Sequence, residues 1–158
     1  MLKVLYIIDT LETGGAERSL VAIASKFKDV TPIFIHIYPG SDLKNILINN
    51  NIEVYYLQIP VGYNFKEALN KLIPLVPKIR PDIIHTTLFK SDIIGRKLKK
   101  HYNVALVNSL VNNSYIKQRY KNLGFISQLK LYLFQQYDNY TSNNVDHPSL
   151  YAATKKMS

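Results

Sequence analysis

Residues 2–28, LKVLYIIDTLETGGAERSLVAIASKFK, decide the fold of this chain. The apolar run Leu2–Ile8 is typical of a strand buried on both faces, as in a parallel sheet. A polar segment, Asp9–Gly15, follows and ends in two glycines. A helix is predicted over Ala16–Phe27, because apolar residues recur there at helical spacing. This predicted stripe consists of Leu20, Ile23, Ala24 and Phe27.

The two glycines between strand and helix suit the binding of an anion. Gly14 and Gly15 can adopt positive φ and let a ligand approach the backbone closely. The free N–H groups of a helix start then face an anion, typically phosphate, and Glu17 in the first turn suits the helix dipole. A tight turn without a ligand is the alternative. The dinucleotide fingerprint G-x-G-x-x-G is absent.

The segment TGGAERSLVAIASKF (Thr13–Phe27), directly after a first strand, resembles the start of retaining GT-B glycosyltransferases. The resemblance is to family four of glycosyltransferases, which commonly open with a strand, a Gly-Gly-Ala-Glu-Arg loop and a helix. It implies two Rossmann-like domains with the active site between them. The nucleotide-sugar donor is then a co-substrate and no cofactor is implied.

The C-terminal domain of such enzymes typically binds the nucleotide sugar and carries a Glu-x7-Glu motif. No pair of glutamates here has that spacing. Residues 1–158 are therefore interpreted as a single Rossmann-like domain, the acceptor-side N-terminal domain, with the donor-binding domain absent and no turnover by this chain alone. The implied reaction moves a sugar from a nucleotide sugar to an acceptor, such as a lipid-linked or surface polysaccharide precursor. A stand-alone α/β module that binds a nucleotide or phosphorylated metabolite is the alternative.

Composition sets the class of protein. The 158 residues are 47% hydrophobic and contain no cysteine, which fits a globular domain without disulfides or thiolate metal sites. The opening segment is too short for a signal peptide, and no apolar run is long enough for a membrane span, so a cytoplasmic location is expected. The four scattered histidines have no metal-site spacing.

The net charge of +9 is concentrated in the second half of the chain. Residues 81–158 hold eleven Lys/Arg against four Asp/Glu, whereas residues 1–80 hold nine against seven. A basic half is able to meet phosphorylated ligands, anionic lipid or nucleic acid, although a solvated face is the commoner explanation. The chain has no recognised nucleic-acid-binding motif, so that partner is disfavoured.

The remaining predicted strands and helices alternate along the chain. Strands are predicted at 32–38, 54–57, 83–86 and 104–109, and helices at 41–50, 65–79, 89–100 and 125–139. Pro74 and Pro77 predict a kink or break in the second of these helices. The rhythm predicts an α/β fold, a Rossmann-like parallel sheet with helices on both faces. Ligands should bind at the carboxyl edge, at loops 9–15, 39–41, 86–89 and 109–115.

Two groups of polar residues are acceptor-site candidates. His85 and Thr86 end the fourth strand in PDIIHTTLF, which also resembles the glycosyltransferases. A core histidine is the alternative. Ser109, Asn112 and Asn113 follow the fifth strand, where many family members carry a histidine that this chain lacks. No catalytic residue is therefore assigned, and an ordinary Asn/Ser-rich turn remains possible there.

The segment 115–140 combines seven aromatic residues with a basic excess. Its cations are Lys117, Arg119, Lys121 and Lys130. Such a composition suits peripheral contact with an anionic membrane at the inner face. The alternative is a helix that packs its apolar side on the sheet and leaves its lysines in water.

Overall fold

The computed structural model describes residues 1–109 and 124–143, in which strands and helices alternate. The strands are β1 (Leu2–Ile8), β2 (Val30–His36), β3 (Glu53–Tyr56), β4 (Ile83–Thr87) and β5 (Ala105–Ser109). The helices are α1 (Gly15–Ala24), α2 (Lys44–Asn49), α3 (Phe65–Leu72), α4 (Val76–Ile79), α5 (Phe89–Lys99) and α6 (Phe125–Asn143).

The five strands form one parallel sheet in the order β3-β2-β1-β4-β5. From the central β1 the chain moves to one side through β2 and β3, and then to the other through β4 and β5. The strand order therefore reverses between β1 and β4, where ligands of such sheets bind beyond the carboxyl ends. This architecture confirms the predicted Rossmann-like parallel sheet with helices on both faces.

Two apolar cores lie on opposite faces of the sheet. On one face, α1 and α2 bury Leu20 and Leu47 against β1 and β2. On the other, α3, α4 and α5 bury residues such as Leu72 and Ile94. Alternate side chains of β1 enter each core, which explains why its sequence is continuously apolar instead of alternating.

The buried side of α1 differs from the prediction. It is formed by Glu17, Leu20, Val21 and Ala24. Ile23 and Phe27, which were expected to face the core, are exposed. The helix ends at Ala24, and the Ser25 hydroxyl donates a hydrogen bond to the Val21 carbonyl, so Phe27 lies beyond the last turn. Glu17 takes a position in the stripe that sequence periodicity assigns to an apolar residue.

Several boundaries also differ from the prediction. The second strand begins and ends two residues earlier than expected, at Val30 and His36. The short helix α2 begins at Lys44, three residues after the predicted start, and has no side-chain cap.

The prolines act as expected. The predicted helix over 65–79 is broken into α3 and α4, with Pro74 between them. Pro lacks a backbone N–H and cannot continue a helix, while Pro77 in the first turn of α4 is tolerated.

Helix α6 exposes apolar side chains on its outer side. Leu129 and Leu133 are among these exposed residues. The side that meets α5 carries Asp138, which accepts a hydrogen bond from Arg96 Nη2 at 2.5 Å in a buried ion pair. Phe134, one turn before Asp138 on the same side of α6, stacks on Tyr63 with ring centroids 4.2 Å apart. These polar and aromatic contacts set the rotation of the helix.

Candidate functional site

Loops at the carboxyl edge of the sheet are tied together through their backbones. Leu11 N–H donates to the Gly40 carbonyl at 2.9 Å, and Leu43 N–H donates to the Leu11 carbonyl at 2.9 Å. The Tyr38 N–H donates to the Asp9 carbonyl at 2.8 Å. The loops after β1 and β2 therefore form one unit.

The glycine loop does not use positive φ. Gly14 caps the start of α1 with φ −66° and ψ 162°, and Gly40 is the glycine with positive φ among the described residues. Gly14 and Gly15 therefore do not use the positive φ that glycine permits. A Cβ on Gly14 would overlap the carboxylate at the end of the Glu17 side chain, which would have to move. A Cβ on Gly15 would meet no described atom within 4 Å.

Glu17 places a carboxylate at the start of α1. Its side chain is 9% exposed, and the Thr10 hydroxyl donates to Glu17 Oε1 at 3.4 Å. A negative charge is favourable at this end of a helix. An anion approaching Gly14 would meet this carboxylate, whereas the space in front of Gly15 is open.

The start of α5 already has an anionic partner. Asp9 Oδ1 accepts hydrogen bonds from the Ser91 backbone N–H at 2.8 Å and from the Ser91 hydroxyl at 2.5 Å. Burial raises the pKa of Asp9, and the hydrogen bonds from Ser91 and the charge of Lys90 oppose this rise. Both helix starts beside the β1–β4 reversal thus have a carboxylate nearby, and they differ in that a Cβ on Gly15 of α1 would meet no described atom within 4 Å.

The turn between β4 and α5 is strained. Leu88 has φ 80° and ψ 156°, a region that is essentially restricted to glycine. Strain of this kind clusters at functional sites, and Leu88 lies one residue beyond Thr87, at the end of β4.

The predicted residues of β4 and β5 divide between the two faces of the sheet. His85 Nε2 and Ser109 Oγ lie 2.5 Å apart, and the His85 ring contacts Tyr6 with centroids 5.0 Å apart. Burial lowers the pKa of His85, so the imidazole is neutral at pH 7. His85 and Ser109 thus form a hydrogen-bonded pair at the carboxyl edge.

Thr86 points to the opposite face. Its hydroxyl donates to Asp92 Oδ1 at 2.7 Å inside the core, so it does not reach His85. Thr87 shares the face of His85, two residues along the strand, and its hydroxyl is buried without a partner within residues 1–109 and 124–143. Thr87, and not Thr86, therefore lies on the face of β4 that carries His85.

The other predicted site residues fall into two groups. Asn112, Asn113, Lys117, Arg119 and Lys121 lie outside the described residues. Lys130 lies on the exposed side of α6.

Sequence reasoning missed a cluster of Tyr38, Tyr63 and Lys90, called here the tyrosine–lysine cluster. Lys90 Nζ lies 4.4 Å from the ring centroid of Tyr38 and 5.1 Å from that of Tyr63. Tyr38 belongs to the loop after β2, Tyr63 to the loop after β3 and Lys90 to the first turn of α5. The parallel strand order brings these three segments to the carboxyl edge of the sheet. Their position at or beyond the ends of predicted strands was the only sign of the cluster that the sequence offered.

Metal and membrane-span signals are absent from the part of the chain that the structure describes. No group of three His, Asp or Glu side chains there is placed to hold a metal ion. None of the helices in these ranges is both long and apolar enough to cross a bilayer.

No protein family and no curated protein sequence matches this chain. Solved structures do share its fold. They include Anabaena HepE in complex with UDP, with a TM-score of 0.56, 18% identity and coverage of 82% of this chain and 34% of that one. A glycosyltransferase from Rickettsia africae gives a TM-score of 0.54 and 20% identity, with coverage of 82% and 35%.

A UDP-GlcNAc 2-epimerase from Neisseria meningitidis bound to UDP-GlcNAc also shares the fold, with a TM-score of 0.54 and 12% identity. It is matched over 82% of this chain and 38% of its own length. The chain thus spans little more than a third of each of these proteins. At these identities the likeness establishes the Rossmann-like fold.

Proposed function

We propose that this chain is the acceptor-side N-terminal domain of a retaining glycosyltransferase with a GT-B fold. The complete enzyme would move a sugar from a nucleotide-sugar donor to an acceptor, such as a lipid-linked or surface polysaccharide precursor. The observation that carries the proposal is the open first turn of α1 at Gly15, beside the reversal of strand order. Support comes from the shared fold, since one neighbour is named a glycosyltransferase and another was solved with UDP.

In this proposal, different residues at the carboxyl edge of the sheet contact the donor and the acceptor. The N–H groups at Gly15 would face the donor diphosphate, and the missing side chain at Gly15 would permit close approach. His85, Thr87 and Ser109 would face the acceptor, where hydroxyl and imidazole groups suit hydroxyl-bearing ligands. A separate C-terminal domain would hold most of the nucleotide, so this chain alone should not turn over.

Calorimetric titration of this chain with UDP and with UDP-GlcNAc tests the proposal against the alternative. A domain that offers only part of a donor site should bind UDP weakly, with Kd of about 1 mM or above. Binding of micromolar strength would favour the stand-alone module for a nucleotide or phosphorylated metabolite, because that module needs no second domain.

A peripheral membrane contact at the inner face of a membrane is a further part of the proposal. The outer side of α6 exposes apolar side chains at helical spacing beside Lys130. These side chains are Ile126, Leu129, Leu133 and Tyr140. The excess of eleven cations over four acidic residues in 81–158 favours an anionic lipid surface as the occupant.

Co-sedimentation with vesicles tests this contact. Binding to anionic vesicles at low salt, lost at high salt and absent with neutral vesicles, is the expected result. An unchanged bound fraction in the Leu129→Ser and Leu133→Ser double variant would exclude α6 as the contact. The exposed Ile48→Ser variant in α2 is the control.

A further inference from the structure

Tyr38 carries a buried hydroxyl that pairs with no residue in the described part of the chain. The residue is 2% exposed, and within the described ranges its hydroxyl has no hydrogen-bond partner. Leaving such a group unpaired is costly, so each instance in a folded protein needs an explanation. The Tyr38 hydroxyl keeps its proton, since burial and the nearby Asp9 and Tyr63 raise its pKa to about 12.

The surroundings of Tyr38 place charged and hydroxyl groups together. The Tyr38 ring packs against Lys90, while the Asp9 carboxylate binds the next residue of α5, Ser91. The backbone of Tyr38 is itself bonded to Asp9. Tyr63, whose ring also contacts Lys90, is 54% exposed and is the solvent-facing tyrosine of the cluster.

The chemistry of these groups selects the ligand. The carboxylate of Asp9 disfavours an anion, and the ammonium group of Lys90 disfavours a cation. The Tyr63 ring is already in contact with Phe134 and Lys90, so a flat aromatic ligand gains little by stacking there. A neutral hydroxyl both accepts and donates, and therefore matches tyrosine hydroxyl, ammonium and carboxylate partners at once.

We propose that Asp9, Tyr38, Tyr63 and Lys90 form a subsite for the hydroxyl groups of a neutral sugar. The inference rests on the proposed function and extends it by naming the part of the sheet's carboxyl edge that binds the sugar. This subsite lies on the α5 side of the sheet, whereas the glycine loop and His85 lie on the α1 side. The sugar is either that of the donor or that of the acceptor.

NMR titration of the ¹⁵N-labelled chain tests the inference. Methyl α-glucopyranoside and methyl N-acetylglucosaminide probe a free sugar, and UDP-GlcNAc compared with UDP probes the donor sugar. We expect one of these arms to shift the amide signals of Tyr38, Lys90 and Ser91. Tyr38→Phe should weaken the affinity for that ligand about threefold to tenfold, which is the range for one neutral hydrogen bond. It should not lower the melting temperature.

The control is Tyr102→Phe, which removes a hydroxyl that donates to the Ile73 carbonyl at 2.5 Å. This variant should lower the melting temperature and leave sugar binding unchanged. If no sugar shifts the Tyr38, Lys90 and Ser91 signals, or if Tyr38→Phe binds as the wild type does, the subsite is excluded. Failure of the proposed function has a different signature, which is the absence of any UDP-dependent shift at Gly14 and Gly15.

Discussion

At the scale of single residues, the adjacent Gly14 and Gly15 have different roles. The missing side chain of Gly14 makes room for the buried carboxylate of Glu17, so its reason lies inside the fold. At Gly15 a Cβ would meet no described atom within 4 Å, so no contact in the described ranges requires the missing side chain. Gly15 is therefore the position at which binding and stability can be separated experimentally.

Gly15→Val should affect the substrate and spare the fold. A Cβ here meets no described atom, so the free energy of unfolding should change by about 0.5 kcal/mol or less. The branched side chain would stand where the donor phosphates approach, and turnover by the complete enzyme should fall at least about tenfold. Thermal melting of this chain and transfer rates of the complete enzyme measure the two effects. Ser19→Val, exposed on the same helix, is the control, and full activity of Gly15→Val would remove the phosphate role from the loop.

His85→Ala should lower acceptor use. The imidazole lies 2.5 Å from Ser109 Oγ at the edge, and losing one such polar contact with substrate costs about 1–3 kcal/mol, or about fivefold to 150-fold in kcat/KM. Steady-state kinetics of the complete enzyme with varied acceptor measure this loss, with the exposed His101→Ala as control. A His85→Ala enzyme that is unstable but fully active would identify a core histidine.

At the scale of elements, the type and order of the described strands and helices could be predicted from the sequence. Hydrophobic spacing and the Gly, Pro and Asn residues between segments are local properties of the chain. Which side of a helix is buried was less predictable. Glu17 enters the buried stripe of α1 in place of the expected Ile23, and α6 turns Leu133 outward because Asp138 meets Arg96. Polar partners across elements leave no trace in hydrophobic periodicity.

The same limit explains why only part of the candidate site could be predicted from the sequence. Loops at the carboxyl edge follow from the alternation of strands and helices, so His85 and Ser109 could be placed there. The division between Thr86 and Thr87 needs the face of the strand, and the tyrosine–lysine cluster needs side-chain positions. Neither is encoded in spacing alone.

The Arg96–Asp138 pair should anchor α6. Both side chains are 8% exposed, and breaking such a buried pair from one side costs about 3–5 kcal/mol. Arg96→Met alone should therefore destabilise strongly in urea unfolding, and adding Asp138→Leu should restore most of the loss. Glu67→Gln breaks the exposed Glu67–Lys71 pair and should cost about 1 kcal/mol or less. A single Arg96→Met change as mild as this control would contradict the anchoring role.

At the scale of the whole molecule, one polar network links sheet and helices. Thr86 and Asn108 donate to Asp92 Oδ1, and Arg96 of the same helix binds Asp138 of α6. Burial raises the pKa of Asp92 from 3.8 to about 7, with Thr86, Arg96 and Asn108 opposing the rise and the charge of Asp9 adding to it. The carboxyl at the centre of the network therefore titrates near neutral pH.

Stability should decline as pH rises from about 4 to about 7. In this window the folded state keeps a proton on Asp92 that the unfolded state has lost, so the free energy of unfolding falls with rising pH. The raised pKa of Asp9 acts in the same direction. His36 and His85, whose pKa values are lowered by burial, destabilise the fold below about pH 6.5 and oppose the trend.

Thermal melting across pH measures this balance. Asp92→Asn should flatten the decline toward pH 7, because its amide oxygen still accepts from Thr86 and carries no proton to lose. The exposed Asp29→Asn variant should follow the wild type. Parallel pH profiles for Asp92→Asn and wild type would show that Asp92 does not titrate as proposed.

The central claim is that this chain is the acceptor-side domain of a sugar-transferring enzyme. It is tested most directly by incubating a complete enzyme that carries residues 1–158 with sugar-labelled UDP-GlcNAc, other labelled nucleotide sugars and a lipid extract, and following the label. The account predicts label on the acceptor, free nucleoside diphosphate released in equal amount, and loss of both with Gly15→Val. Conversion of UDP-GlcNAc to its 2-epimer without transfer, or tight nucleotide binding with no reaction, would contradict it.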